Sequence, residues 1–151
     1  MDTNISPAHI SEVNLYEEIR KTGKESGIRI YVLELPTEKG SVTLTNILDV
    51  SGMRKDEADL YLISEACKRL TSLTDMRVYT DSSYISAAIN GKWIEKWALR
   101  DWKNAKGEDV SHAEMWQSVM NSSLNSFLSA EYKKPNEYRH WIEGELAKLE
   151  K

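Results

Sequence analysis

The chain has 151 residues, of which 40% are hydrophobic and 29% charged, with only 7 Gly and 3 Pro. That composition excludes a collagen-like, low-complexity or disordered chain, and the length suits one domain that buries roughly two-thirds of its unfolded surface without crosslinks. The net charge of −4 withholds the whole-chain basic balance of a non-specific nucleic-acid binder.

Cys67 is the single cysteine, so no intrachain disulfide forms and a reducing, cytoplasmic setting is expected. No apolar run reaches the roughly 18 residues of a membrane span. The first residues, MDTNISPAHISE, lack the basic start and apolar core of a secretory signal. A monomer without membrane contact is the expectation.

In chain order, residues 13–16 alternate and read as a short strand, with Glu17, Glu18 and the polar stretch to Gly27 as a loop. Residues 28–35, IRIYVLEL, are rich in branched and aromatic residues and read as a strand. A turn at 36–40 leads to 41–48, SVTLTNIL, which alternates, so the two form an antiparallel hairpin. The period then becomes helical over 54–70, with Leu62, Ile63, Ala66 and Leu70 on one stripe. Residues 76–80, MRVYT, read as a strand that stops at Asp81. Ser82 or Ser83 then caps a helix to Ile89, ended by Asn90-Gly91, and 93–99 is a second short helix. Residues 102–110 are a polar loop. Ser111, with Glu114 three places on, gives a capping-box start to a helix running to about Phe127. A weak strand over 126–134 and a helix after Pro135 complete the chain. A hairpin followed by alternating helices and strands implies a mixed sheet covered by helices.

Two carboxylates draw attention. Asp81 ends a strand just before a helix, the edge where open α/β sheets bind ligands, although read alone it is equally a helix cap. Asp59 falls within the apolar stripe of its helix, while Glu57 points away. A carboxylate there is costly unless it is paired, hydrogen-bonded or on a metal; the bland alternative is a solvated first-turn aspartate at the core edge. As a pair of oxygen ligands, Asp59 and Asp81 suit Mg²⁺ or Mn²⁺, and two such ions serve in-line displacement at phosphate. Residues 92–107 hold Lys92, Lys96, Arg100, Lys103 and Lys106 against Glu95 and Asp101, a local positive excess in an acidic chain.

Thr80-Asp81-Ser82-Ser83-Tyr84-Ile85, then Trp93 and Trp97, then Trp102-Lys103 with Gly107 and Val110, then Met115-Trp116, together resemble the second half of a type 1 ribonuclease H. Upstream, Asp59-Leu60-Tyr61 and Glu65-Ala66 resemble that family's E-L-x and E-A-L helix. The resemblance implies a ribonuclease H-like α/β fold, with a mixed five-stranded sheet and helices on both faces, as a single domain over 1–151. It implies an endonuclease that hydrolyses the RNA strand of RNA–DNA hybrids, leaving 5′-phosphates. It implies two Mg²⁺ or Mn²⁺ ions held by Glu18, Asp59, Asp81 and Glu145 as catalytic carboxylates. Lys92, Trp93, Lys96, Arg100, Trp102 and Lys103 would contact the hybrid.

The chain departs from the family pattern in three places. No T-D-G turn follows the first strand, and Glu18 stands in the aspartate's place. Asp59 replaces the helix glutamate. No G-H-x-G loop precedes the last helix, where Glu145 is the stand-in and Glu143 and His140 compete. These departures carry a second reading, a catalytically impaired member that binds hybrid or a protein partner. Other residues read blandly. Trp97 and Trp116 pack, Cys67 is a buried small hydrophobe, and Ser82 and Ser83 cap. His9, His112 and His140 lack zinc spacing.

Overall fold

A computed structural model describes residues 11–19, 28–37, 39–70 and 72–132. Three strands come first: β1 (Ser11–Ile19), β2 (Ile28–Thr37) and β3 (Gly40–Asp49). Helix α1 (Lys55–Cys67) leads to β4 (Thr74–Thr80), followed by α2 (Ser83–Asn90), α3 (Trp93–Ala98), α4 (Ala113–Ser122) and β5 (Ser126–Tyr132). The sheet order is β3-β2-β1-β4-β5. The β1–β2 and β2–β3 pairs are antiparallel, whereas β1–β4 and β4–β5 are parallel, as a mixed sheet requires.

The hairpin register runs from Ile28 opposite Asp49 to Thr37 opposite Gly40, whose φ of +110° suits only glycine. Strand alternation sorts the chain between two faces. Val13, Leu15, Tyr31, Leu33, Met76 and Val78 join Leu62, Ile63 and Ala66 of α1, Ile85 of α2 and Trp116 and Val119 of α4 in the main core. On the opposite face Tyr16, Ile30 and Val32 are buried together, and Tyr79 stacks on Tyr16 with ring centroids 4.7 Å apart. The expected helix after Pro135 lies outside the described residues.

Three of the boundaries that differ from the sequence reading have a plain physical cause. Strand β1 runs through Glu17 and Glu18 to Ile19 instead of stopping at Tyr16, because β2 offers partners as far as Ile19 opposite Arg29. Ser111 does not cap α4. His112 takes the N-cap position with φ 57° and no side-chain cap bond. That helix ends at Ser122, not near Phe127, because Thr74 N–H bonds the Asn125 carbonyl and the chain enters β5 beside β4. Tertiary pairing thus overrides local propensity at both strand boundaries.

β5 is an edge strand, and its exposed backbone is partly met from within. Asn90 Nδ2 donates to the Ala130 carbonyl at 2.8 Å, and Ala130 N–H donates to Asn90 Oδ1 at 2.9 Å. The bidentate amide ties the end of α2 to the sheet and blunts the edge.

Candidate functional site

The turn after β4 fixes Asp81 from both sides. Ser82 N–H donates to Thr80 Oγ1 at 3.0 Å, and Ser82 Oγ accepts from Ile85 N–H at 3.1 Å as the cap of α2. Asp81 is therefore not the cap; its carboxylate is left to other partners. Helix α1 opens with Asp56 and Glu57 in its first turn, where the macrodipole favours anions. The Glu57 carboxylate accepts from Arg54 N–H at 3.4 Å. Asp59 follows on the core side and is fully buried, with no solvent exposure.

Burial of a carboxylate demands compensation, and two cations provide it. The Arg29 guanidinium, itself only 2% exposed, donates through Nη1 to Asp59 Oδ1 and through Nη2 to the Lys55 carbonyl at 3.2 Å. Lys55 Nζ donates to Asp59 Oδ2 at 3.0 Å and to Asp81 Oδ1 at 2.9 Å. One ammonium thus joins the two aspartates that the sequence singled out, at the carboxyl edge of β4. The four groups carry two positive and two negative charges.

Sequence reasoning missed both cations, though each leaves a signal. Lys55 precedes Asp59 by four residues, the spacing of facing side chains on a helix. Arg29 shares the parity of Tyr31 and Leu33, so it points into the main core with them.

With Arg29 and Lys55 bonded to it, the aspartate pair does not fit a divalent ion. Both Asp59 oxygens bond cations, and the group shared with Asp81 is an ammonium instead of a ligand set. Among the described residues no group of three or more His, Cys, Asp or Glu is placed to hold a metal. Glu18 lies on β1 opposite Ile30. It falls three places after Leu15, as Asp81 falls three places after Val78, and Leu15 and Val78 are register partners. Glu145, Glu143 and His140 lie outside the described residues.

Helix α2, about 12 Å long by the helical rise, leads from Asp81 to the basic segment. Trp93, Trp97, Trp102 and Trp116 form a connected aromatic bed, with centroids 5.8 Å apart for Trp93–Trp97, 6.5 Å for Trp97–Trp102 and 5.6 Å for Trp97–Trp116. Trp116 is fully buried, and its indole N–H donates to Tyr84 Oη at 2.9 Å. Trp97 and Trp102 are partly buried, whereas Trp93 is exposed. Lys92, Lys96, Arg100, Lys103 and Lys106 are all exposed, as a solvated basic face requires. Lys103 is not a free cation, because its ammonium pairs with Asp109. Lys92, Asp101, Trp102 and His112 all have positive φ, the only non-glycine residues among those described that do. Such strain persists where the surroundings hold it, here by Trp102 N–H bonding the Trp97 carbonyl at 2.8 Å and Val110 N–H bonding the Trp102 carbonyl at 2.9 Å.

Comparison with known proteins matches this chain to the RNase H family model over residues 24–134. The ribonuclease H of Caldicellulosiruptor saccharolyticus is 40% identical over 62 residues, which are 41% of this chain and 43% of that one. The ribonuclease H of Clostridium botulinum is 28% identical over 101 residues, 65% of this chain and 61% of that one. The chain therefore spans less than two-thirds of the length of these curated relatives. Among solved structures, a type 1 RNase H with the type 2 active-site motif superposes with TM-score 0.67 at 17% identity, covering 94% of this chain and 72% of that one. The PFV RNase H domain in solution gives 0.64 at 14% identity, covering 92% and 90%. Strands β2 to β5, the strand-end Asp81 and the tryptophan-based basic segment all lie within the matched span, and the chain belongs to the RNase H family.

Proposed function

We propose that this chain acts on RNA–DNA hybrids and hydrolyses the RNA strand, as one ribonuclease H-like domain over residues 1–151. The observation that carries this reading is the convergence of Asp59 and Asp81 on one ammonium at the sheet's carboxyl edge, in a chain of this family. Glu18 and Glu145 are proposed to complete the carboxylate set. Lys92, Lys96 and Arg100 would neutralise backbone phosphates, and Trp93 and Trp102 offer ring faces to sugars or bases. The family's general dependence on divalent ions makes Mg²⁺ or Mn²⁺, two per site, the proposed cofactor. A monomer in the cytoplasm is the proposed context, and no helix among the described residues is long and apolar enough to cross a membrane.

A second reading rests on the same cluster with Arg29 added. Arg29 and Lys55 neutralise the aspartate pair, which favours a member that binds hybrid and cuts it poorly or not at all. The test is cleavage of an end-labelled RNA–DNA hybrid in Mg²⁺ and in Mn²⁺, with Asp81→Asn as the control. The first reading expects fragments bearing 5′-phosphates that disappear in the control. Hybrid that is bound but uncut in both ions would replace it with the second.

A further inference from the structure

We infer that Lys55 is a built-in counter-ion of the carboxylate pair, a tethered monovalent cation that stands where a divalent ion would have to sit between Asp59 and Asp81. This rests on reading those two aspartates as the nucleic-acid-cutting site, and it adds how that site is controlled.

The two cations at the pair are not equivalent. Arg29 is buried and bonds both the Asp59 carboxylate and the first turn of α1, so it is a fixed part of the core. The Lys55 side chain is 43% exposed, and Asp81 is 23% exposed. Lys55 therefore has an open route to solvent, on a flexible four-carbon stem with a compact charge. Nor is it an ordinary surface ion pair, since one of its partners has no solvent exposure and the other lies 26 residues away on a different element. Two carboxylates held this close repel each other unless a cation lies between them. Lys55 supplies that cation without any ion from solution. While that ammonium stays in place, the pair does not fit a divalent ion. The same ammonium lets a phosphodiester approach a neutral pair instead of a doubly negative one.

The test is calorimetric titration of the full chain with MnCl₂ in the absence of nucleic acid. Lys55→Gln keeps most of the length and removes the charge, Lys55→Arg keeps the charge, and Lys55→Ala is a second neutral variant should the glutamine fold poorly. Removing one positive charge a few ångströms from a divalent ion is expected to tighten Mn²⁺ binding roughly tenfold or more. Lys55→Arg should stay as weak as the wild type, and adding Asp81→Asn to Lys55→Gln should abolish the gain. Equal Mn²⁺ affinity in the wild type and both neutral variants overturns the proposal, as does a gain that survives Asp81→Asn. Hybrid cleavage and binding are measured separately. A neutral variant that gains Mn²⁺ affinity while the wild type neither binds nor cuts hybrid refutes the proposed function and leaves the counter-ion standing.

Discussion

Arg29 and Asp59 form an ion pair with almost no solvent contact, and that decides how each responds to substitution. Breaking a buried pair from one side leaves an uncompensated charge, whereas replacing both partners with apolar residues is often close to neutral. Arg29→Met is therefore expected to lower stability by about 3–5 kcal/mol. The double change Arg29→Met with Asp59→Leu should recover most of that loss. Urea unfolding of the three proteins checks it, and a double variant as unstable as the single one would refute it. Half of this pair was legible in the sequence. The helical wheel put Asp59 on the core stripe and demanded a partner or a metal. Naming the partner needed the strand's parity to be followed back from Tyr31 to Arg29, and an arginine at a strand's start is more readily taken for a solvated end. Cys67 reads as a buried small hydrophobe in the sequence and is buried in the structure. Burial pushes its thiol from 9.0 up to about 12. The unfolded chain then gives up this proton near pH 9 while the folded chain keeps it, so the thiol's contribution to stability falls as pH rises from about 9 towards 12. The slope is about 1.4 kcal/mol per pH unit in that window. Stability measured at pH 8 and pH 10.5 should fall more steeply in the wild type than in Cys67→Ala, and parallel slopes would contradict this.

At the scale of elements, Gly91 shows how closely α2 is joined to α3. Its φ of −82° is ordinary, so conformational freedom is not what the position needs. Space is: an added Cβ would lie 2.8 Å from the Ala87 carbonyl oxygen and 2.5 Å from Trp93 Nε1. The ring can move aside, but a backbone carbonyl in α2 cannot do so without bending the helix. Gly91→Ala is expected to cost about 1–3 kcal/mol as an overpacking change, and to shift Trp93 fluorescence, since the indole must turn. Unfolding and emission spectra test both, and an alanine as stable as glycine would show that the join is looser. Such punctuation is legible in the residues where local chemistry decides it. Ser82 caps α2, and Asn90-Gly91 ends it. It is not legible where tertiary pairing decides. Ser111 and Glu114 spell a capping box, yet the Lys103–Asp109 bridge and the Val110 bond to Trp102 bring the chain in with His112 left-handed at the cap. Likewise Glu17 and Glu18 read as loop but pair with Tyr31 and Ile30, because a neighbouring strand supplies hydrogen-bond partners that local propensity cannot register.

Over the whole molecule, charge is divided between a neutralised acidic pair at one end of α2 and a basic face at the other. A site with two bare aspartates would repel phosphate until metal arrives, and hybrid binding would then depend on the ion. Here Arg29 and Lys55 already cancel the pair, so binding is expected to rest on the basic face alone. Hybrid affinity should change by less than about twofold between EDTA and Mg²⁺ at matched ionic strength, while falling steeply with added salt as phosphate contacts release counter-ions. Within the face the lysines are not equal. Lys103 is engaged by Asp109, whereas no ion pair is seen for Lys96 or Arg100 among the described residues. Lys96→Ala and Arg100→Ala should each weaken binding and reduce the salt slope by about 1, and Lys103→Ala should do less than either. Fluorescence polarisation with a labelled hybrid, titrated with salt in EDTA, reads all of these at once. An affinity that collapses in EDTA would mean that a dissociable divalent ion holds the hybrid. A Lys103→Ala effect as large as that of Lys96→Ala would mean that the Asp109 pair opens when nucleic acid binds.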